Sequence, residues 1–199
     1  MISPSNTPPD GEKGRVSSAL IVVDMQRDLC WDPRRCDKVG AALPAILALI
    51  DACSRRNCLI VYATFSLPPD DQQFERFGDR YCIEGTPGAE LIPELMPLKG
   101  PKMDRRKHSV FFDTGLDLML REHDVKRVMF VGLQTQICIL TSAADASFRG
   151  YEAVAIRECV ISSREEAKSQ ALAWISRYVG HVLSVGEAIA SIAGRDRHE

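Results

Sequence analysis

The sequence predicts an α/β fold: three layers, α/β/α, around a doubly wound, mostly parallel six-stranded sheet. Three observations predict it. Short apolar runs without polar alternation, ALIVV at 19–23, CLIVYAT at 58–64 and VMFV at 128–131, have the length and composition of strands buried on both faces. Segments with helical spacing of apolar residues lie between them. Strands that alternate with helices imply parallel β-α-β units.

Taken in order, residues 1–18 carry Pro4, Pro8, Pro9, Gly11 and Gly14 with few apolar residues, the composition of a mobile tail. A single domain is expected over 19–194. Its first strand, 19–23, ends at Asp24, and 25–37 reads as loop. Val39, Leu43, Ile46, Leu47, Ile50 and Cys53 follow helical spacing, with Pro44 tolerable in a first turn. The second strand is 58–64. The stretch 65–101 is rich in Pro, Asp and Gly; its length marks a functional loop rather than a plain connection. A short extended piece falls within 103–112. Thr114 can cap a helix running through Leu116, Met119, Leu120 and His123. After the strand at 128–131, Gly132 breaks the run, and Thr135 can cap a helix over 136–148 that stops at Arg149-Gly150. A strand at 152–156, a helix at 165–178, a strand at 181–185 and a helix at 186–193 complete the chain.

Ligands of such sheets bind beyond the carboxyl ends of the strands, where the strand order reverses. An order of 3-2-1-4-5-6 would make the first strand a neighbour of the fourth. Asp24 and Cys138 would then share one crevice. Cys138 falls in the first turn of a helix that follows a strand, where unpaired N–H groups and the helix dipole favour a thiolate. That placement suits acyl transfer. It predicts that Cys138 is the cysteine most readily alkylated near neutral pH. Position alone also fits a small buried core residue. Asp24 likewise reads either as a functional carboxylate or as a polar strand end capped by a loop.

Composition narrows the classes. The formal net charge is −2, with 45% hydrophobic and 26% charged residues. No basic stripe is present, which argues against nucleic acid as a partner. No stretch reads as a signal peptide or as an apolar run near eighteen residues, so no membrane partner is expected. The seven cysteines, at 30, 36, 53, 58, 82, 138 and 159, form no C-x-x-C pair. Zinc ribbons and thioredoxin-type motifs are therefore not expected, and a reducing, cytoplasmic location fits.

Four segments in order resemble motifs of the isochorismatase-like cysteine hydrolase family: LIVVDMQRD (20–28), YCIEGTPGAELIPEL (81–95), HSVFFDTGLDLML (108–120) and VGLQTQICILTSAADASFRGY (131–151). The resemblance implies the three-layer fold and hydrolysis of C–N bonds in small amides, carbamoyl compounds or ureido compounds. It implies Cys138 as nucleophile, Asp24 as general base and the N–H groups of Gln134 and Cys138 as oxyanion hole, where preorganised donors would meet developing charge. It further implies a cis peptide between Leu133 and Gln134, and a substrate pocket around Leu133 and Phe111. The family's lysine lies four residues before the serine of its S-A-F segment. Here that position is Arg105, which keeps the charge but cannot release a proton. Lys107 is the alternative cation and Lys102 a remoter one; the run 105–107 also reads as a solvated basic surface.

Nicotinamidase-like members place an Asp-x-His and a further histidine in the loop after the second strand. Residues 65–101 contain no histidine, and His108, His123, His181 and His198 lack metal spacing. No metal and no cofactor are expected. Isochorismatase itself lacks the cysteine, so Cys138 argues against that substrate. His108 either lines the pocket or is a packed or solvated histidine. The expectation is a metal-independent cysteine amidohydrolase working on a small-molecule substrate through a thioester, as a homo-oligomer, dimer or tetramer. The alternative is a catalytically weak homologue that binds a small ligand or partner, with Arg105 as the sign of lost chemistry. A redox-reactive thiol protein is the third reading; no resolving cysteine lies near Cys138 in sequence.

Overall fold

The computed structural model describes residues 17–34, 36–96 and 98–193. Six strands form one sheet: β1 (Ser18–Val23), β2 (Leu59–Phe65), β3 (Lys102–Arg105), β4 (Arg127–Leu133), β5 (Glu152–Ile161) and β6 (Gly180–Leu183). Their order is β3-β2-β1-β4-β5-β6, and every pair is parallel. The sheet is therefore doubly wound, with its reversal between β1 and β4.

The helices are α1 (Arg27–Cys30), α2 (Cys36–Arg55), α3 (Gln73–Phe77), α4 (Leu116–Glu122), α5 (Leu140–Phe148), α6 (Glu165–Tyr178) and α7 (Val185–Ala193). Alternation along β1 divides the core. Leu20 and Val22 pack with α2 and α7 on one face. Ala19, Ile21 and Val23 pack with α4, α5 and α6 on the other. A strand apolar on both faces is what a sheet covered by helices on both sides requires.

Several boundaries differ from the sequence reading. Ser18 is already in β1, opposite Arg127, and Ser17 O accepts the N–H groups of Lys126 and Arg127. The remainder of the expected tail lies outside the described residues. The expected loop 25–37 contains α1, and 65–101 contains α3 and a 3-10 turn at Pro87–Ala89. β5 runs to Ile161, beyond the expected end at Ile156. The β4–β5 register shifts between Phe130 and Gly132. Arg157 and Glu158 are exposed at that irregularity, which is why their charge does not end the strand. Gly115, not Thr114, occupies the cap position of α4; Thr114 Oγ1 accepts the Leu116 N–H at 3.4 Å from one residue further out and donates to Val110 O at 2.6 Å. No described helix is long and apolar enough to cross a membrane.

Two backbone features set up the crevice at the reversal. Gly132 has φ +103, and a Cβ there would lie 2.0 Å from Val23 O. Only glycine lets β4 approach β1 this closely. One residue past β1, Asp24 adopts φ +55, a left-handed conformation that aspartate tolerates better than most residues. Its N–H donates to Ala63 O at 2.9 Å.

Candidate active site

The carboxyl ends of four strands converge here. Asp24 follows β1, Phe65 ends β2 opposite Arg105 at the end of β3, and Leu133 ends β4. Leu133–Gln134 is a cis peptide, as the resemblance implied. The chain then makes a π-helical turn over Thr135–Ile139 before α5. Gln134, not Thr135, holds the cap position. Its carbonyl accepts the N–H groups of Ile137 and Ile139, each at 3.1 Å. Thr135 Oγ1 is buried and has no hydrogen-bond partner, so the expected threonine cap does not form.

Gln26 fastens the crevice to its loop. Its Oε1 accepts the Phe65 N–H at 2.8 Å. Its Nε2 donates to Phe65 O at 2.8 Å and to Ala89 O at 2.7 Å. The side chain is fully buried and every polar atom of its amide is used, which is how a buried amide is accommodated. Asp28 extends the same clasp. Its Oδ2 accepts the Cys82 N–H at 2.8 Å, and a Cβ on Gly88 would overlap its carboxylate. The first and second motif segments thus meet in space. The third and fourth meet as well. Ser109 Oγ donates to Asp145 Oδ2 at 2.7 Å, and Ser142 Oγ accepts the Val110 N–H at 3.1 Å.

Asp24 and Arg105 form a buried ion pair, Nη2 to Oδ2 at 2.5 Å. Arg105 Nη1 donates to Lys107 O, and its guanidinium lies 5.6 Å from the Phe65 ring. Asp24 Oδ1 is buried and has no hydrogen-bond partner. Cys138 is buried beside this pair, and the electrostatics of all three groups are linked. Cys138 Sγ is 4.0 Å from His108 Nδ1.

Burial is the largest influence on each group. It holds the Asp24 carboxyl above its usual range, against the pull of Arg105. Burial and then the Asp24 carboxylate push the Cys138 thiol up to about 12, with Arg105 opposing them. This corrects the expected preformed thiolate. The helix start is present, but desolvation and a like charge outweigh it. Burial thus favours a neutral Cys138 thiol, which lies beside a carboxyl group with one orphaned oxygen. Such a pair can transfer a proton as attack begins.

The pocket over this floor is lined by Asp24, Leu29, Phe65, Tyr81, His108, Leu133, Gln134, Ile137 and Cys138. Leu133 lies where expected. Phe111 does not line it: the ring is buried, stacked on Tyr151 with centroids 6.0 Å apart, because β3 ends early and turns the S-x-F segment toward α5. Lys107 is outside too. Its Nζ donates to Gln73 Oε1 at 3.0 Å. Of the two candidate cations, Arg105 is the one at Asp24.

Leu29, Phe65, Tyr81 and Ile137 are pocket residues that the sequence reading missed. Phe65 carried a signal, since it ends a buried strand as Asp24 does. Tyr81 and Leu29 carried none in periodicity, because the fold of their loops brings them in. Residues 65–101 offer no histidine. Among the described residues, no three His, Cys, Asp or Glu side chains converge as metal ligands.

Comparison with known proteins agrees with this geometry. The isochorismatase domain family matches residues 18–187. The structure of nicotinamidase PncA from Bacillus subtilis superposes with a TM-score of 0.78 at 27% identity, covering 85% of this chain and 100% of that one. N-carbamoylsarcosine amidase from Thermoplasma acidophilum gives 0.76 at 26% identity, covering 85% and 97%. Ureidoacrylate amidohydrolase RutB of Enterobacter sp. (strain 638) is 28% identical over 199 residues, 85% of this chain and 86% of that protein. With the family matched over most of its length and the sheet order and cis peptide in place, this chain belongs to the isochorismatase family of hydrolases.

Proposed function

We propose that the protein is a cysteine amidohydrolase that cleaves the C–N bond of a small amide, carbamoyl or ureido compound through a thioester. The observation that carries this is the buried Asp24 carboxylate, its Oδ1 without a partner, beside the Cys138 thiol on the pocket floor. Asp24 takes the thiol proton as sulfur attacks the carbonyl carbon, and returns it to the leaving ammonia or amine. The N–H groups of Gln134 and Cys138 receive the oxyanion. Arg105 holds Asp24 in place and pulls its carboxyl toward the ionised form, against the larger effect of burial. Water then cleaves the thioester. The described donor set supports turnover without a metal.

The lining also bears on the substrate. Among the described residues, the only charged group of the lining in the usual protonation states is Asp24, already paired with Arg105, and no lysine or arginine is part of it. A substrate carboxylate would find no counter-ion there. The walls are Leu29, Phe65, Tyr81, Leu133 and Ile137, which fit an uncharged amide with an apolar body. Ammonia release should therefore be faster from uncharged small amides than from carboxylate-bearing carbamoyl or ureido compounds. The reverse preference would overturn this substrate class.

A second reading keeps one supporting observation. The short Arg105–Asp24 pair replaces the lysine pairing of the family motif, and a carboxylate so held is a poorer proton acceptor. A homologue that binds a small ligand without turnover would show saturable binding and no ammonia. The proposal includes a cytoplasmic location, in keeping with the free cysteines among the described residues. It also includes a homo-oligomer. Leu118 and Phe148 stand exposed on α4 and α5, which the Arg149–Asp117 contact at 3.6 Å ties together.

A further inference from the structure

Arg105 occupies the position where the motif has lysine. A guanidinium stays protonated across the physiological range, so it supplies charge but cannot accept a proton. It is also committed, to Asp24 Oδ2 at 2.5 Å and to Lys107 O. Thioester hydrolysis needs an acceptor for a proton of the attacking water. Among the pocket-lining side chains, two suit that task at neutral pH, Asp24 and His108. Asp24 is 2% exposed and lies beside the sulfur at the floor. His108 is exposed, and therefore reachable by water, with Nδ1 4.0 Å from Cys138 Sγ. A water that attacks an acyl carbon attached to that sulfur comes within reach of the imidazole.

We infer that His108 is a further catalytic residue, the general base that activates water for cleavage of the Cys138 thioester. The inference rests on the proposed thioester chemistry. The imidazole takes a proton from water as the water oxygen bonds to the acyl carbon. The C–S bond breaks, and its electron pair goes to sulfur. The imidazolium proton then passes to sulfur, which restores the thiol and releases the carboxylic acid. Burial, with the nearby cations, favours the neutral imidazole that this step needs. Burial is the largest influence; Arg105, Arg76 and Lys107 add to it and Asp24 opposes it, for a net shift below the usual histidine value. This assigns the two halves of the reaction to different bases, Asp24 for attack and His108 for hydrolysis.

The test uses p-nitrophenyl acetate, which acylates a thiol without needing the natural substrate. Nitrophenol release reports acetylation, and intact mass with peptide mapping reports the acetyl group on Cys138. His108→Gln should keep the burst, which shows that the fold and nucleophile survive. It should lose acetyl from Cys138 about 10²-fold more slowly, the low end of the effect of a general base. Wild-type deacetylation should rise with pH through an inflection below the ordinary histidine value, and the variant should lack that inflection. Added imidazole should speed deacetylation of His108→Ala. Equal deacetylation rates with an unchanged pH profile would overturn the role of His108 and leave the cysteine chemistry standing. Absence of acetyl on Cys138 in the folded wild type would overturn both.

Discussion

Arg105 is the residue on which the proposed chemistry of the floor depends. Its side chain is fully buried and faces Asp24, while Lys107 reaches out to Gln73. Arg105→Lys should therefore keep or raise turnover. Arg105→Ala should lower it by about 10²–10⁴-fold, the range for removing an acid–base or oxyanion-type contributor. Lys107→Ala should be nearly neutral. Steady-state ammonia release on the three variants checks this; loss in Lys107→Ala with tolerance of Arg105→Ala would move the working cation. Stability should follow pH with a definite sign. Without Arg105, the Asp24 carboxyl, already raised by burial, rises further. A carboxyl with a raised folded pKa stabilises the fold below its unfolded value, and that contribution is lost as pH rises through the folded value. The deficit of Arg105→Ala against wild type should be smallest in acid. It should grow to about 3–5 kcal/mol at neutral pH, the cost of breaking a buried pair. Thermal melts from pH 4 to 8 measure it, and a pH-independent deficit would contradict the account. Sequence could place 105 and 107 on one face only if the strand continued. β3 stops at Arg105, and that ending was not legible. Nor was the neutral Cys138 thiol. The helix start could be read from spacing, but burial comes from neighbours distant in the chain.

Among the elements, the strand ends carry the site and the loop after β2 completes it. α6 was readable to its ends, since Ala167, Ala171 and Ile175 mark one buried face and acidic residues open it. The carboxyl end of β1 was readable because Asp24 follows its apolar run; that of β4 was not, since the strand continues through Gly132, the expected breaker, to Leu133. The path of 65–101 was not, because loop geometry leaves no period in sequence. Gln26 is the device that fixes that path, joining β1 to Phe65 and Ala89. Gln26→Ala should leave buried backbone groups of both partners unsatisfied, at about 1–3 kcal/mol for each. Denaturant unfolding should show a loss of several kcal/mol. The surviving enzyme should show a raised KM, since Phe65 and Tyr81 line the pocket. An unchanged midpoint would mean that the loop is held elsewhere.

At the scale of the molecule, the parallel order β3-β2-β1-β4-β5-β6 brings residues far apart in sequence to one edge. The alternation of strands and helices made the doubly wound sheet legible, with this order as one it allows, and the structure makes the sheet wholly rather than mostly parallel. Assembly and substrate lay beyond sequence because they depend on surfaces and cavity walls. The donor set at the same edge predicts activity that survives chelation, as 65–101 has no histidine. Loss of turnover in EDTA, restored by zinc or manganese, would contradict this. The central claim is covalent catalysis by Cys138. Its most direct test is acid quench of the enzyme during turnover of an uncharged amide, followed by peptide mass mapping. An acyl adduct on the Cys138 peptide with matching ammonia release is expected, both absent in Cys138→Ala. Undiminished ammonia release by Cys138→Ala would contradict it.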